Sequence, residues 1–130
     1  YKPPAGAIGV EYKFHFSLAW DSSSHSIQHF RFYVDNTEIT DARFTQANRY
    51  HENIVTFGWY FRIGGSGTDY AIGRFENWNS TKSFDLRTRA YSASNNEVSR
   101  IYGTQYWEGN NSSVFKQPQM EIIAYGNPAV

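Results

Sequence analysis

The stretch that decides the fold is Val10-Glu11-Tyr12-Lys13-Phe14-His15-Phe16-Ser17-Leu18-Ala19-Trp20. Large apolar side chains occupy every second position in it, and mostly polar ones lie between them. Because successive side chains of a strand point to opposite faces of a sheet, this period of two predicts a long, half-buried strand. The core-facing side is expected to carry Val10, Tyr12, Phe14, Phe16, Leu18 and Trp20.

The same period continues along the chain on both sides of turn sequences. The clearest further strand covers residues 54–63, with Val55, Phe57, Trp59, Phe61 and Ile63 facing inward. Asp35-Asn36 predicts a hairpin turn, Gly64-Gly65-Ser66-Gly67 predicts a loop, and no segment has a helical period. The other predicted strands are residues 27–34, a return strand from Glu38-Ile39, and residues 70–75, 83–91, 98–107 and 119–125. This pattern predicts an all-β protein, an antiparallel jelly-roll-like β-sandwich of about eight strands.

Length and composition predict one domain. The chain has 130 residues with 10 Phe, 10 Tyr and 4 Trp, and no Cys. Aromatic side chains bury roughly 150–250 Å² each, so a core of this kind needs no disulfides. Pro3-Pro4 and the absence of an initiator Met favour a piece of a longer polypeptide. We therefore assign residues 1–7 to a linker remnant and residues 8–130 to a single β-sandwich domain.

The charge balance excludes some partners. Twelve basic and twelve acidic residues give a formal net charge of zero, whereas binding to nucleic acid needs an excess of Lys and Arg. The apolar runs are far shorter than the roughly 20 residues that cross a bilayer. We expect neither a nucleic-acid partner nor insertion into a membrane.

Candidate catalytic and metal-binding residues are few. Glycoside hydrolysis needs two facing carboxyl groups, and Glu11, Asp85 and Glu121 are the outward candidates. His15 and His29 could form a pair if their strands were close, although no metal-binding motif surrounds them. Since isolated outward carboxylates and imidazoles are usually part of a solvated face, we expect no enzyme, no metal and no cofactor.

Aromatic residues flanked by amides stand in two loops. A pyranose ring can stack its C–H face on Trp or Tyr while amide groups bind its hydroxyls. The alternative is that the tryptophans close the open end of the sandwich. The expected ligand-binding residues are Asn77, Trp78, Asn79, Tyr106, Trp107, Asn110 and Asn111.

The chain resembles the carboxy-terminal jelly-roll heads of phage and other viral fibres. The resemblance covers most of the chain and rests on residues 10–20, on His29-Phe30-Arg31-Phe32-Tyr33-Val34-Asp35-Asn36-Thr37-Glu38-Ile39, on residues 100–107 and on Gln117-Pro118-Gln119-Met120-Glu121-Ile122-Ile123. It implies a non-enzymatic homotrimer, extracellular or on the virion surface, that recognises a cell-surface glycan or protein. A trimer would also cover the outward side chains of Tyr33 and Tyr60.

Two other functions fit the same strands. One is a carbohydrate-binding module or secreted lectin, which would share the stacking mechanism. The other is a small sandwich glycosidase that uses two of the carboxylates named above.

Overall fold

The structure is a computed structural model that describes residues 1–21, 26–48, 52–91, 98–102 and 116–126. Within these ranges it contains eight strands, one 3-10 turn and no α-helix. The strands are β1 (Ala7–Asp21), β2 (Ser26–Val34), β3 (Thr37–Asn48), β4 (Glu52–Ile63), β5 (Arg74–Phe75), β6 (Phe84–Ala90), β7 (Val98–Ile101) and β8 (Gln119–Gly126). In the described ranges no helix is long and apolar enough to cross a membrane.

The first sheet is organised around β1. On one side β1 pairs antiparallel with β4, from Gly9 opposite Arg62 to Ala19 opposite Glu52. On the other side its first half pairs with β8 and its second half with β7. Its backbone groups therefore have ladder partners on both sides, and the longest strand of the protein is not an exposed edge.

The second sheet has the order β3-β2-β6 and is antiparallel. The predicted turn between β2 and β3 is present, with φ values of 47° at Asp35 and 64° at Asn36. Farther along the pair, Phe32 lies opposite Ile39 but Phe30 lies opposite Phe44, so β3 bulges by three residues. The bulge bends β3 and keeps both apolar side chains on the core side.

Aromatic side chains from both sheets fill the space between them. The Tyr12 and Phe32 rings stack with centroids 5.1 Å apart, and Phe32 meets the Phe57 ring edge-on at 4.8 Å. Burial raises the pKa of Tyr12 to about 12, because a phenolate would lose its hydration there. The predicted all-β sandwich is confirmed, with two mainly antiparallel sheets, whereas the finer jelly-roll strand order stays a prediction. The predicted alternation has two exceptions, since Ser17 of β1 is buried and Thr88 of β6 is exposed.

One predicted strand is mostly a turn. Residues 70–75 were expected to be extended, but Tyr70–Ile72 form a 3-10 turn and only Arg74–Phe75 are extended. The Asp69 carboxylate accepts a hydrogen bond from the Ala71 amide, which caps the turn. Gly73 ends it with a φ of 70°, and a Cβ there would lie 2.5 Å from Trp59 Nε1. The local cap and the glycine outweigh the short alternating pattern.

Two of the first residues pack on the domain, and the assignment of residues 1–7 to a linker remnant stays a prediction. The backbone nitrogen of Tyr1 donates to the Lys82 carbonyl at 2.7 Å, and the Lys82 amide donates back to the Tyr1 carbonyl at 2.9 Å. The Tyr1 ring contacts the Trp78 ring edge-on, and Pro3 is buried. Tyr1 and Pro3 therefore pack against the domain, while residues 2 and 4–6 are exposed.

Trp78 lies in this core although it belongs to a polar loop. Its side chain is 4% exposed. Ring centroids of Phe61, Phe75 and Phe84 lie 5.6, 5.3 and 6.0 Å from its own. The indole therefore closes the end of the sandwich beside β4 to β6.

Truncation of Trp78 should destabilise the fold. Removing a buried Trp side chain typically costs about 3–5 kcal/mol, so Trp78→Ala should lower the free energy of unfolding by an amount in that range, measured by urea denaturation. Asn79→Ala is the matched control, because Asn79 is exposed and its change should stay within about 0.5 kcal/mol. A loss below about 1 kcal/mol for Trp78→Ala would place the ring outside the core.

Candidate functional site

The structure separates the predicted sugar-binding residues of the first loop. Asn77 and Asn79 are exposed, and the Asn79 amide donates a long hydrogen bond of 3.5 Å to Asn77 Oδ1. The Trp78 ring between them is covered by other rings, so the expected stacking role of Trp78 was wrong. The indole packs against Phe61, Phe75 and Phe84 because this removes its apolar surface from water.

The predicted residues of the second loop lie outside the described residues. They are Tyr106, Trp107, Asn110 and Asn111. Their role in binding stays a prediction.

The three candidate catalytic carboxylates do not share one face. Glu11 and Glu121 lie on the outer face of the first sheet, and Asp85 lies on the outer face of the second sheet. Glu11 accepts a hydrogen bond of 2.6 Å from the Tyr125 hydroxyl, and it forms an ion pair of 3.0 Å with Lys13. The Tyr125 hydroxyl, followed by Lys13, lowers the pKa of Glu11 below its usual 4.5. A general acid needs the opposite change.

The two candidate histidines lie on opposite outer faces of the sandwich. His15 Nδ1 is 3.1 Å from the Thr56 hydroxyl in the first sheet, and His29 Nδ1 is 2.8 Å from the Thr45 hydroxyl in the second. The two imidazoles therefore cannot bind one ion, and the paired arrangement that the sequence left open does not form. In the part of the chain that the structure describes, no group of three His, Asp or Glu side chains could hold a metal.

A groove on the outer face of the second sheet brings basic and aromatic side chains together. It runs along β2 and β6, and we call it the arginine groove. Its volume is about 570 Å³, within the range of about 300–1,000 Å³ that small-molecule sites occupy. Its walls are formed by His29, Arg31, Tyr33, Arg87, Thr88, Arg89 and Tyr91.

The register of β2 and β6 places two like charges opposite each other in this groove, since Arg31 is the cross-strand partner of Arg87. His29 lies opposite Arg89. Like charges directly opposite in a sheet are destabilising. Positions where a protein keeps such a locally unfavourable arrangement are often functional.

Arg87 is held away from Arg31 by three contacts. Its guanidinium carbon lies 3.9 Å from the centroid of the Tyr33 ring. Its Nη2 donates to Asn36 Oδ1 at 2.8 Å and to Asp85 Oδ2 at 3.1 Å. Arg87 is thus a fixed wall of the groove, with its cation–π contact to Tyr33 worth about 0.5–1 kcal/mol at an exposed site.

Arg31 has a weak partner and Arg89 has none among the described residues. The Glu38 carboxylate is occupied by Arg43, which donates to both of its oxygens at 2.6 and 3.0 Å. Arg31 Nε lies 3.7 Å from Glu38 Oε1, which is a longer contact. No carboxylate of the described residues lies within ion-pair distance of Arg89, which is exposed. Two guanidinium groups therefore keep donors available to a ligand.

Tyr91 adds an exposed ring at the end of the groove. Its side chain is 59% exposed, and its ring centroid lies 5.6 Å from that of His29. The Tyr91 amide donates to the Ile27 carbonyl at 2.9 Å, which fixes the backbone beside β2. The sequence predicted the outward positions of β2 and β6 but not that they form one site. The arginines at the outward positions 31, 87 and 89 were the available indication of a basic surface.

The outer face of the first sheet carries a second aromatic group. Tyr60 and Tyr125 are 49% and 41% exposed, with ring centroids 5.9 Å apart. Tyr60 lies over Gly9, where the Tyr60 hydroxyl leaves no room for a Cβ. Tyr33, which was expected to be exposed like Tyr60, is instead half-buried under Arg87.

Loss of the Tyr125 hydroxyl should raise the pKa of Glu11. Tyr125→Phe removes the largest cause of the lowered pKa, so the Glu11 carboxyl should titrate closer to 4.5 in an NMR titration. Because the lowered pKa stabilises the fold above 4.5 and this contribution is lost as pH falls through the folded-state value, the variant should also lose less stability on acidification. Tyr60→Phe should leave the Glu11 titration unchanged, and an unchanged titration in Tyr125→Phe would contradict the assignment.

Comparison with known proteins gives no family for this chain. No family model matches it, and neither the search of curated proteins nor the search of solved structures found a match. Function is therefore inferred from the chemistry of the surfaces described above.

Proposed function

We propose that this chain is a non-enzymatic recognition domain that binds a cell-surface saccharide in the arginine groove. The observation that carries the proposal is the placement of an exposed ring, Tyr91, beside guanidinium donors in a groove on a rigid sheet. A sheet face holds side chains in fixed relative positions, which lowers the entropy lost on binding.

The groove supplies both kinds of contact that a sugar uses. The ring of Tyr91 can stack on the apolar C–H face of a pyranose, and it loses little conformational entropy on binding because it has only two side-chain torsions. Arg31 and Arg89 can donate hydrogen bonds to the oxygens of the sugar, since Arg has five N–H donors and no acceptor. The site thus differs from the loop of residues 77–79, which has amides but no exposed ring.

The biological setting that fits this proposal is the receptor-binding head of a viral or phage fibre. Such a head would act outside cells or on the virion surface, would recognise a glycan or a protein, and would be a homotrimer. The exposed pair Tyr60 and Tyr125 gives a surface that a neighbouring copy could cover without blocking the arginine groove, since the pair lies on the other sheet. A carbohydrate-binding module or secreted lectin would use the same groove as a monomer.

A glycosidase receives less support from the carboxylates. Its general acid must stay protonated near neutral pH, whereas the Tyr125 hydroxyl lowers the pKa of Glu11. Asp85 lies on the other sheet and is paired with Arg87 at 3.1 Å. For Glu11 with Asp85, these observations favour binding without turnover.

Truncation of Tyr91 tests the binding function. Aromatic contacts contribute about 0.5–1.5 kcal/mol beyond their buried area, so Tyr91→Ala should weaken the tightest ligand of a glycan array by a factor of roughly 2 to 10. The midpoint of thermal unfolding should change little, because Tyr91 is exposed. Ile54→Ala changes an exposed residue of β4 outside the Tyr60 and Tyr125 pair, so it is the control and should keep full affinity. If the wild-type protein bound no saccharide on the array, the proposed function would be wrong.

The oligomeric state separates the fibre head from the appended module. Light scattering coupled to size exclusion should give a mass of three times 15.0 kDa for the fibre head. A monomer mass at all concentrations would favour a carbohydrate-binding module or lectin. Tyr60→Glu together with Tyr125→Glu should dissociate a trimer that uses this surface, and a trimer unaffected by both changes would place the interface elsewhere.

A further inference from the structure

The arginine groove has more positive charge than its own side chains neutralise. The outer face of the second sheet carries four arginines at positions 31, 43, 87 and 89, and the carboxylates paired with them are those of Glu38 and Asp85. β3 also carries the exposed Asp41, which forms no ion pair with any of these arginines. The whole chain has a formal net charge of zero. The excess of arginines over the carboxylates paired with them is therefore a local property of this face and is not the result of a basic composition.

The two carboxylates are already used by other arginines. Arg43 occupies both oxygens of Glu38, and Arg87 is bonded to Asp85. Arg89 keeps its planar set of donors without a carboxylate partner among the described residues, and Arg31 reaches Glu38 only at 3.7 Å. A negatively charged ligand group would relieve the repulsion between facing arginines and bind where the protein supplies no acceptor.

The guanidinium donors fit an oxyanion. A guanidinium binds a carboxylate or a phosphate group through two parallel N–H···O bonds, and this planar geometry gives specificity as well as affinity. An extended polyphosphate would need a longer basic surface and an overall positive charge, which this chain does not have. The exposed Tyr91 ring next to His29 would stack against an apolar face of the same ligand. A pyranose with a ring carboxylate satisfies both requirements.

We infer that the saccharide bound in the arginine groove is acidic, a sugar whose carboxylate is bound by Arg89 with Arg31 beside it. The inference rests on the proposed function and deepens it, because it names the chemical class of ligand and the residue that selects it. Arg87 serves to shape the groove through Tyr33, Asn36 and Asp85, while Arg89 contacts the ligand. The carboxylate takes the acceptor role that no described side chain fills.

Matched pairs of acidic and neutral saccharides test the inference. An array should carry oligosaccharides of galacturonate, glucuronate and N-acetylneuraminate, each with its methyl ester, which keeps the ring and removes the charge. At least one acid should bind about tenfold or more tightly than its ester, since hydrogen bonds to charged groups contribute more than neutral ones. This preference should shrink between 0.05 and 0.5 M salt, because the site is exposed.

Variants of Arg89 assign the preference to the groove. Arg89→Gln should remove most of the preference for the acid, and Arg89→Lys should retain only part of it, because Lys keeps the charge but not the planar fork. Arg62→Gln is the matched control, an exposed arginine on the outer face of the first sheet, and should leave the preference intact. Circular dichroism and thermal unfolding of each variant verify that the fold is retained.

The outcomes separate the failure of the inference from that of the proposed function. Equal binding of acids and esters would overturn the inference and leave a saccharide-binding domain, as would tighter binding of sulfated sugars than of carboxylated ones. An unchanged preference in Arg89→Gln would overturn the assignment to this groove. Binding of no saccharide at all, whether or not a poly-glutamate peptide binds, would overturn both.

Discussion

The rest of the structure depends on the pairing of β1 along both of its sides. With β4 on one side and β8 and β7 on the other, β1 is a central strand whose backbone groups are used within the sheet. Its core face then presents a row of rings, and only a second sheet with a matching apolar face can cover them. The rings of Phe32 and Phe30 do so, through a stacked contact with Tyr12 and a tilted contact with Phe16. Fixing β1 therefore fixes the position of the second sheet.

The second sheet carries the site because one of its faces packs in the core and the other faces outward. Along β2, the buried residues Phe30, Phe32 and Val34 alternate with His29, Arg31 and Tyr33, which point outward. The aromatic packing that anchors one face therefore sets the spacing of the basic residues on the other. The antiparallel register with β6 then adds Arg87 and Arg89 at the same level. A binding surface on such a sheet is preorganised, since moving the backbone that carries an arginine would require moving a ring of the core.

Charge on this face is local, which separates recognition of a small acidic group from general binding to polyanions. Arg43 and Arg87 are engaged with Glu38, Asp85 and neighbouring polar groups, and they build the walls. The positive charge that remains is confined to a groove with one exposed ring. In that setting a ligand gains affinity only by matching both the ring and the guanidinium donors, and this double requirement gives selectivity.

The sequence by itself determined most of the strands and most of the core rings, because a period of two is a local property that the pleat of a strand imposes on residues 10–20 and 54–63. It also predicted the turn at Asp35 and Asn36. Only the tertiary structure decided which outward residues meet. The pairing of β2 with β6 joins positions that are 56 residues apart, Arg31 and Arg87, and no local pattern encodes that register. Trp78 shows the same limit. Its neighbours in the sequence are polar, but its indole is buried by Phe61, Phe75 and Phe84, which come from other parts of the chain. Burial and charge proximity are set by long-range contacts, and these arise only when both sheets are assembled.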